Sequence, residues 1–212
     1  MKKLESSVQN MVMVLVGVAL ITGCILAYVN HATECPIAEQ KEKTLADGIK
    51  TVMGGGELTV AKTDTVRQND EKGKEMVFII YNTNDAKENY LGAAVESTTG
   101  GFGGDLKVLV GFDPKGNILG YTILEHAETP GLGAKADKWF QKDGKGNIIG
   151  KNPSEALVVK KDGGQIDAIT ASTITSRAFL KAVNQAYKAY QALPVDGESG
   201  ASKQTKKEGG EQ

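Results

Sequence analysis

Residues 106–124 read LKVLVGFDPKGNILGYTIL. Two apolar runs, Leu106–Phe112 and Ile118–Leu124, flank the tetrad Pro114-Lys115-Gly116-Asn117. Proline presets the backbone for a turn, and Gly and Asn tolerate the positive φ that a tight reversal needs. The stretch predicts two strands joined by a hairpin. So short a connection forces antiparallel pairing. Leu58–Lys62, Met76–Tyr81 and Tyr90–Glu96 carry the same strand signature upstream, so a mainly antiparallel sheet is expected.

Beyond the hairpin, Glu125 to Pro153 is loop-rich, and Leu157–Lys160 reads as one more short strand. Thr173 to Leu193 reads as a helix. Ile174, Ala178, Ala182, Ala186 and Tyr190 step by four, Phe179, Val183 and Tyr187 widen the stripe, and Pro194 ends it. Pro36 to Met53 reads as another helix, on the recurrence of Leu45, Ala46, Ile49, Val52 and Met53. Pro36 suits its first turn, and Gly54-Gly55-Gly56 stops it. The expected class is α+β, a mainly antiparallel sheet with flanking helices.

Met11 to Val29 is almost wholly apolar and carries no charge. As a helix it spans about 29 Å, close to a bilayer core of about 30 Å. Backbone groups in lipid must be paired internally, so a helix is the single-segment solution. Lys2 and Lys3 precede the segment and put that short end in the cytoplasm, although Lys41 and Lys43 follow it. Ile21-Thr22-Gly23-Cys24 resembles a lipoprotein cleavage box, but Ile25 to Val29 continue the apolar run past the cysteine. The expectation is an uncut anchor with Cys24 inside it. The organisation is then a tail over 1–10, a transmembrane helix over 11–29, a juxtamembrane helix over 30–56 and a domain over 57–193. Residues 194–212 are Gly, Ser, Lys and Glu with little to bury, and are expected to be disordered.

A net charge of −1 excludes a broad basic field, so nucleic acid is not an expected partner. Cys24, Cys35, His31 and His126 are too few and too scattered for a zinc site or an iron–sulfur cluster. No G-x-G-x-x-G follows a strand, so no dinucleotide site is apparent.

Two segments stand apart as candidate chemistry. Glu125 to Lys135 reads EHAETPGLGAK, in which Gly131 and Gly133 flank Leu132 and let the backbone approach a flat ligand. Asp167 to Ser176 reads DAITASTITS and sits where a loop enters a helix. A helix start offers unpaired N–H groups and a partial positive charge, which attract phosphate. By spacing alone the first segment reads sooner as a surface turn than as a ligand loop, and the second also reads as an N-cap. A covalent bond does not follow from this physics. A threonine hydroxyl is a poor nucleophile without a base, so a second enzyme would have to make it. His126 is either a proton donor or a polar loop residue. Trp139 and Phe140 either stack on a flat ring or pack the core.

In order, behind one anchor, the two segments resemble the FMN-binding domain family. Residues 1 to about 193 are similar to the G-subunit family of Rnf electron-transport complexes. The likeness includes the Lys-Lys tail, the anchor, Gly100, Phe102, Gly103 and Gly104 in the sheet, and both segments. The family usually reads Asp-x-Ile-Ser-Gly-Ala-Thr, followed by a second Thr. Here Asp167, Thr173 and Thr175 match, while Thr170-Ala171-Ser172 stands for Ser-Gly-Ala, so a position suited to positive φ carries a Cβ.

The resemblance implies an extracytoplasmic FMN-binding domain with FMN held covalently by a phosphoester to Thr173. A flavin transferase would take it from FAD with a divalent metal. It implies that Glu128, Thr129, Gly131, Leu132 and Gly133 lie against the isoalloxazine or ribityl chain, and that Ala171, Ser172, Ile174 and Thr175 hold the phosphate. The two segments must then lie within about 15 Å, the length of FMN. The implied role is an electron relay in an ion-translocating ferredoxin:NAD oxidoreductase of the bacterial inner membrane, with no metal and no complete active site of its own. The A, B, C, D and E subunits of that complex, the transferase and membrane lipid are the implied partners. The alternatives are the C subunit of the sodium-pumping NADH:quinone oxidoreductase and an extracytoplasmic ligand-binding lipoprotein without redox activity. An assembly module with purely structural glycines ranks last.

Overall fold

The computed structural model describes residues 8–69, 73 and 75–192. Residues 1–7 of the expected cytoplasmic tail, and the expected disordered segment 194–212, lie outside the described residues. The chain divides into two compact units, one ending at Gly48 and the other beginning at Ile49.

The first helix, α1, runs Val8–Val52 and is long and apolar enough to cross a membrane. Two helices, with Pro36 opening the second, were expected; instead Pro36 lies inside one continuous helix. Proline removes a single backbone donor, and the turns on either side hold the helix through it. The Thr33 hydroxyl adds a bond to the Val29 carbonyl at 2.8 Å one turn earlier.

The second unit is an antiparallel meander in the order β1-β2-β3-β4-β5, comprising Leu58–Asn69, Glu75–Asp85, Tyr90–Gly100, Asp105–Phe112 and Ile118–His126. All five expected strands are present, and β1 continues well past Lys62. The β4–β5 turn closes as expected. Asp113 accepts from the backbone N–H groups of Lys115 and Asn117, each at 2.8 Å. Burial pushes the Asp113 carboxyl up, but the bond from the Asn117 side-chain amide, also at 2.8 Å, and these two backbone bonds outweigh it and hold it below the usual range.

One face of the sheet carries Phe78, Ile80, Val95, Val108, Val110 and Tyr121, packed against α3, Thr173–Gln191. Phe140 stacks on Phe179 with ring centroids 4.3 Å apart, and Tyr121 meets Phe179 edge-on at 4.7 Å. The buried face of α3 differs from the expected stripe at its start. Thr175 is buried and Ile174 is 53% exposed. Burial of the Tyr121 hydroxyl, which donates to the Ala136 carbonyl at 2.6 Å, pushes its pKa well up.

On the opposite face, Gly111 and Gly120 are partners across β4 and β5, and a Cβ on either would strike the Val52 carbonyl oxygen. The two glycines form a flat seat for Val52, and Ile49, Val52 and Met53 are buried.

The expected strand at Leu157–Lys160 is a single parallel bridge, Val159 to Ile166. The chain reverses through a 3-10 turn at Lys160–Asp162 and Gly163, whose φ of 86° closes it too soon for a ladder to form. The segment Ala136–Trp139 forms a one-turn helix, α2, preceded by a 3-10 turn at Gly133–Lys135.

Candidate functional site

The two segments singled out in the sequence meet. Glu128 leaves β5 two residues beyond its end and turns inward, 7% exposed. Its Oε2 accepts from the Thr175 hydroxyl at 2.9 Å, and its Oε1 accepts from the Phe102 backbone N–H at 2.7 Å. The carboxylate thus joins the β3–β4 loop, the segment after β5 and the first turn of α3. Crowding explains the glycines around it. A Cβ at Gly101 or Gly133 would strike a Glu128 oxygen, and one at Gly103 would strike the Ala127 carbonyl.

Thr129 accepts through its carbonyl from the N–H groups of Leu132 and Ala134, folding the loop into a compact turn. Gly131 takes a φ of 77°, and a Cβ there would meet open space. Leu132 is 42% exposed, while Gly133 is buried against Glu128 and Thr175.

The second segment is pinned from below. The Ser176 hydroxyl donates to the Ser172 carbonyl at 2.9 Å and accepts from the Ile169 N–H at 2.9 Å. Trp139 Nε1–H donates to the Asp167 carbonyl at 2.8 Å, tying α2 to the same loop. Ala171 has a φ of 62°, the left-handed region. Ser172 is the residue before the helix, and its side chain makes no capping bond. Thr173 opens α3, and its half-buried hydroxyl accepts from Lys161 Nζ at 3.2 Å.

His126 works as a loop fastener. Its Nδ1 accepts from the Glu128 N–H at 3.2 Å, and its Nε2 stands 3.9 Å from Asp137 Oδ2. Phe140 is core and Trp139 is partly buried against it. Among the described residues, no group of three or more potential metal ligands occurs.

Sequence reasoning named Phe102 and Trp139 without these bonds and missed Lys161 altogether. The Phe102 N–H and the Trp139 indole act through single bonds to remote residues. Lys161 lies twelve residues before Thr173, in a turn with no motif of its own. The Lys160-Lys161 pair before Gly163-Gly164 was the available signal.

Chemically, the site offers a threonine hydroxyl beside an ammonium group, at the start of a 19-residue helix. Three exposed apolar side chains belong to residues tied to the Glu128–Thr175 bond: Phe102 at 67%, whose N–H bonds Glu128, Leu132 at 42%, next to Gly133, and Ile174 at 53%, next to Thr175. A hydroxyl, a cation and unsatisfied helix N–H groups suit a phosphate, and uncovered apolar side chains suit a flat ring system.

The FMN-binding domain family matches residues 101–188, which include both segments. The G subunit of the ion-translocating oxidoreductase complex of Shewanella amazonensis is 31% identical, covering 86% of this chain and 87% of that protein. The G subunit of the same complex in Photorhabdus laumondii is 33% identical over 90% and 93% of the two chains. That of Yersinia pestis is 42% identical over 48% and 51%. Among solved structures, the C subunit of a Na(+)-translocating NADH-quinone reductase from Parabacteroides distasonis has a TM-score of 0.48 and 19% identity, covering 73% of this chain and 94% of that one.

Proposed function

The chain belongs to the G-subunit family of ion-translocating oxidoreductase complexes, and on that premise we propose that it is a membrane-anchored electron-transfer subunit carrying FMN through a phosphoester on Thr173. The observation that carries the reading is the Glu128–Thr175 bond. It unites the two segments while leaving Thr173 half-buried at the edge of the joint.

FMN, when bound, supplies one- and two-electron chemistry that side chains lack, and the protein's part is to fix its position and potential. Attachment needs a flavin transferase with FAD as donor and a divalent metal. The Thr173 Oγ–P bond forms as the pyrophosphate P–O bond breaks, AMP leaves, and the hydroxyl proton passes to the transferase or to water. Ala171, Ser172, Ile174 and Thr175 would hold the phosphate, to which the first N–H groups of α3 would donate. Glu128, Thr129, Gly131, Leu132 and Gly133 would line the ribityl chain and ring. Glu128 itself acts by holding the joint.

The reading places the domain on the extracytoplasmic side of a bacterial inner membrane with the N-terminus in the cytoplasm. There the protein relays electrons within a complex that couples ferredoxin and NAD to ion transport, alongside the A, B, C, D and E subunits. A covalent tether suits that location, since a dissociable flavin would be lost.

The test is to express the chain with a matching flavin transferase, denature it in detergent and read flavin fluorescence on the gel band. Fluorescence in the wild type and none in Thr173→Ala is expected. Fluorescence in both would move the bond elsewhere, with Thr175 and Ser172 next. No fluorescence in either, with the transferase active on another substrate, would overturn the attachment.

A further inference from the structure

The turn Lys160–Asp162 holds two cations, and α3 brings a third, Arg177, alongside it. Two of the three are paired with carboxylates. Lys160 Nζ meets Asp167 Oδ2 at 2.8 Å. Arg177 makes a two-pronged pair with Asp162, Nε at 2.7 Å and Nη2 at 2.6 Å. Lys161 differs in its hydrogen bond: its ammonium donates to a neutral acceptor, the Thr173 hydroxyl, at 3.2 Å, and acts on the Asp162 carboxylate, already paired with Arg177, only through its charge.

The turn that presents Lys161 is built against the segment that presents Thr173. The Val159–Ile166 bridge and the Lys160–Asp167 pair tie its two sides together. Gly163 at φ 86° closes it, and a Cβ at Gly164 would strike the Val158 carbonyl. The backbone therefore places Lys161 within reach of this hydroxyl, and the hydrogen bond sets its ammonium there.

From this we infer that Lys161 is the counter-charge of the phosphodiester on Thr173, a positioning residue outside both sequence motifs. The inference rests on the Thr173 attachment proposed above. A phosphodiester carries one negative charge and the Lys161 ammonium one positive charge, so the pair is neutral with Lys160 and Arg177 left in their existing pairs. Before attachment, an ammonium donating to Oγ favours the ionised hydroxyl over the neutral one, which assists attack on the FAD pyrophosphate. Afterwards the same ammonium reaches a phosphate oxygen by a small rotation of a flexible side chain.

The full chain in detergent is loaded by a flavin transferase as wild type, Lys161→Gln, Lys161→Arg, Lys161→Glu and Thr173→Ala. Two quantities are read: the initial rate of covalent loading by in-gel fluorescence, and the 31P chemical shift of the loaded phosphodiester with its response to added salt. Lys161→Gln is expected to load about fivefold more slowly, in keeping with an exposed charge pair, and to shift the 31P resonance. Lys161→Arg restores both, and Lys161→Glu loads more slowly than Lys161→Gln. A purely structural lysine would leave the resonance in place.

Wild-type loading that Thr173→Ala abolishes, with Lys161→Gln matching the wild type in rate and 31P shift, overturns the inference alone. No loading of the wild type, or loading that survives Thr173→Ala, overturns the attachment reading and the inference with it. Should Lys161→Gln fail to fold by circular dichroism, the loaded wild type decides. Its 31P resonance must move as salt screens the pair, and a resonance indifferent to salt overturns the inference.

Discussion

The Thr175 hydroxyl donates to Glu128 Oε2 at 2.9 Å, across 47 residues of chain. Both groups are buried, so the bond is protected from water and each partner depends on the other. This single bond makes one site of two segments that the sequence presents separately.

Breaking it should cost stability from either side. Thr175→Val leaves a buried carboxylate oxygen without its donor and is expected to cost about 2 kcal/mol. Glu128→Ala strands both the Thr175 hydroxyl and the Phe102 N–H, and is expected to cost about 2–3 kcal/mol. Because the two changes remove the same bond, the double variant should cost roughly 1 kcal/mol less than the sum. Urea unfolding of the four proteins measures the cycle, and strict additivity would contradict the coupling.

Ala171 occupies the left-handed region at φ 62°, where a Cβ costs about 1–2 kcal/mol. Ala171→Gly is expected to raise stability by about 1 kcal/mol, less a few tenths for the added freedom of the unfolded chain. A thermal melt should show Tm up by about 3 °C. A fall in Tm would mean that this backbone geometry is unstrained.

The seat under Val52 is equally specific. Gly111→Ala and Gly120→Ala each place a methyl group against the Val52 backbone, and are expected to destabilise by about 1–3 kcal/mol. Gly100→Ala, where a Cβ meets nothing within 4 Å, serves as the neutral control. Equal melting temperatures for the three would refute the seat.

The Asp162–Arg177 pair predicts a pH response. The hydrogen bond from Arg177 holds the Asp162 carboxyl below its ordinary value of 3.8. A carboxyl depressed on folding contributes stability that is present above the unfolded value and lost as pH falls through the folded one. The wild type should therefore lose stability relative to Asp162→Asn below about pH 3.8, with the difference constant between pH 5 and 8. Parallel pH profiles of the two proteins would refute it.

Where the sequence was legible, the information was local. The hairpin at Pro114 to Asn117 follows from the preferences of four adjacent residues. Strand and helix periods lie within single segments, as does the length of the apolar run. The glycine-lacking motif also announced its problem. A position suited to positive φ was inferred at Ala171, and the structure has it there. The misreadings were of balance rather than of type. Pro36 looked like a start because proline favours first turns, but one lost donor does not break a helix continued on both sides. Ile174 looked like core because it is apolar and in register, yet Thr175 takes the inward position where Glu128 waits.

By itself, then, the sequence determined the class, the long apolar helix and the two segments, because propensity, period and turn chemistry act between neighbours. Three pairings were decided only by the tertiary structure: Glu128 with Thr175, Lys161 with Thr173, and Val52 with Gly111 and Gly120. Each joins groups from distant parts of the chain through one hydrogen bond or one close contact. Such contacts leave no period in the sequence, and they exist only once the meander and α3 have fixed where each backbone lies.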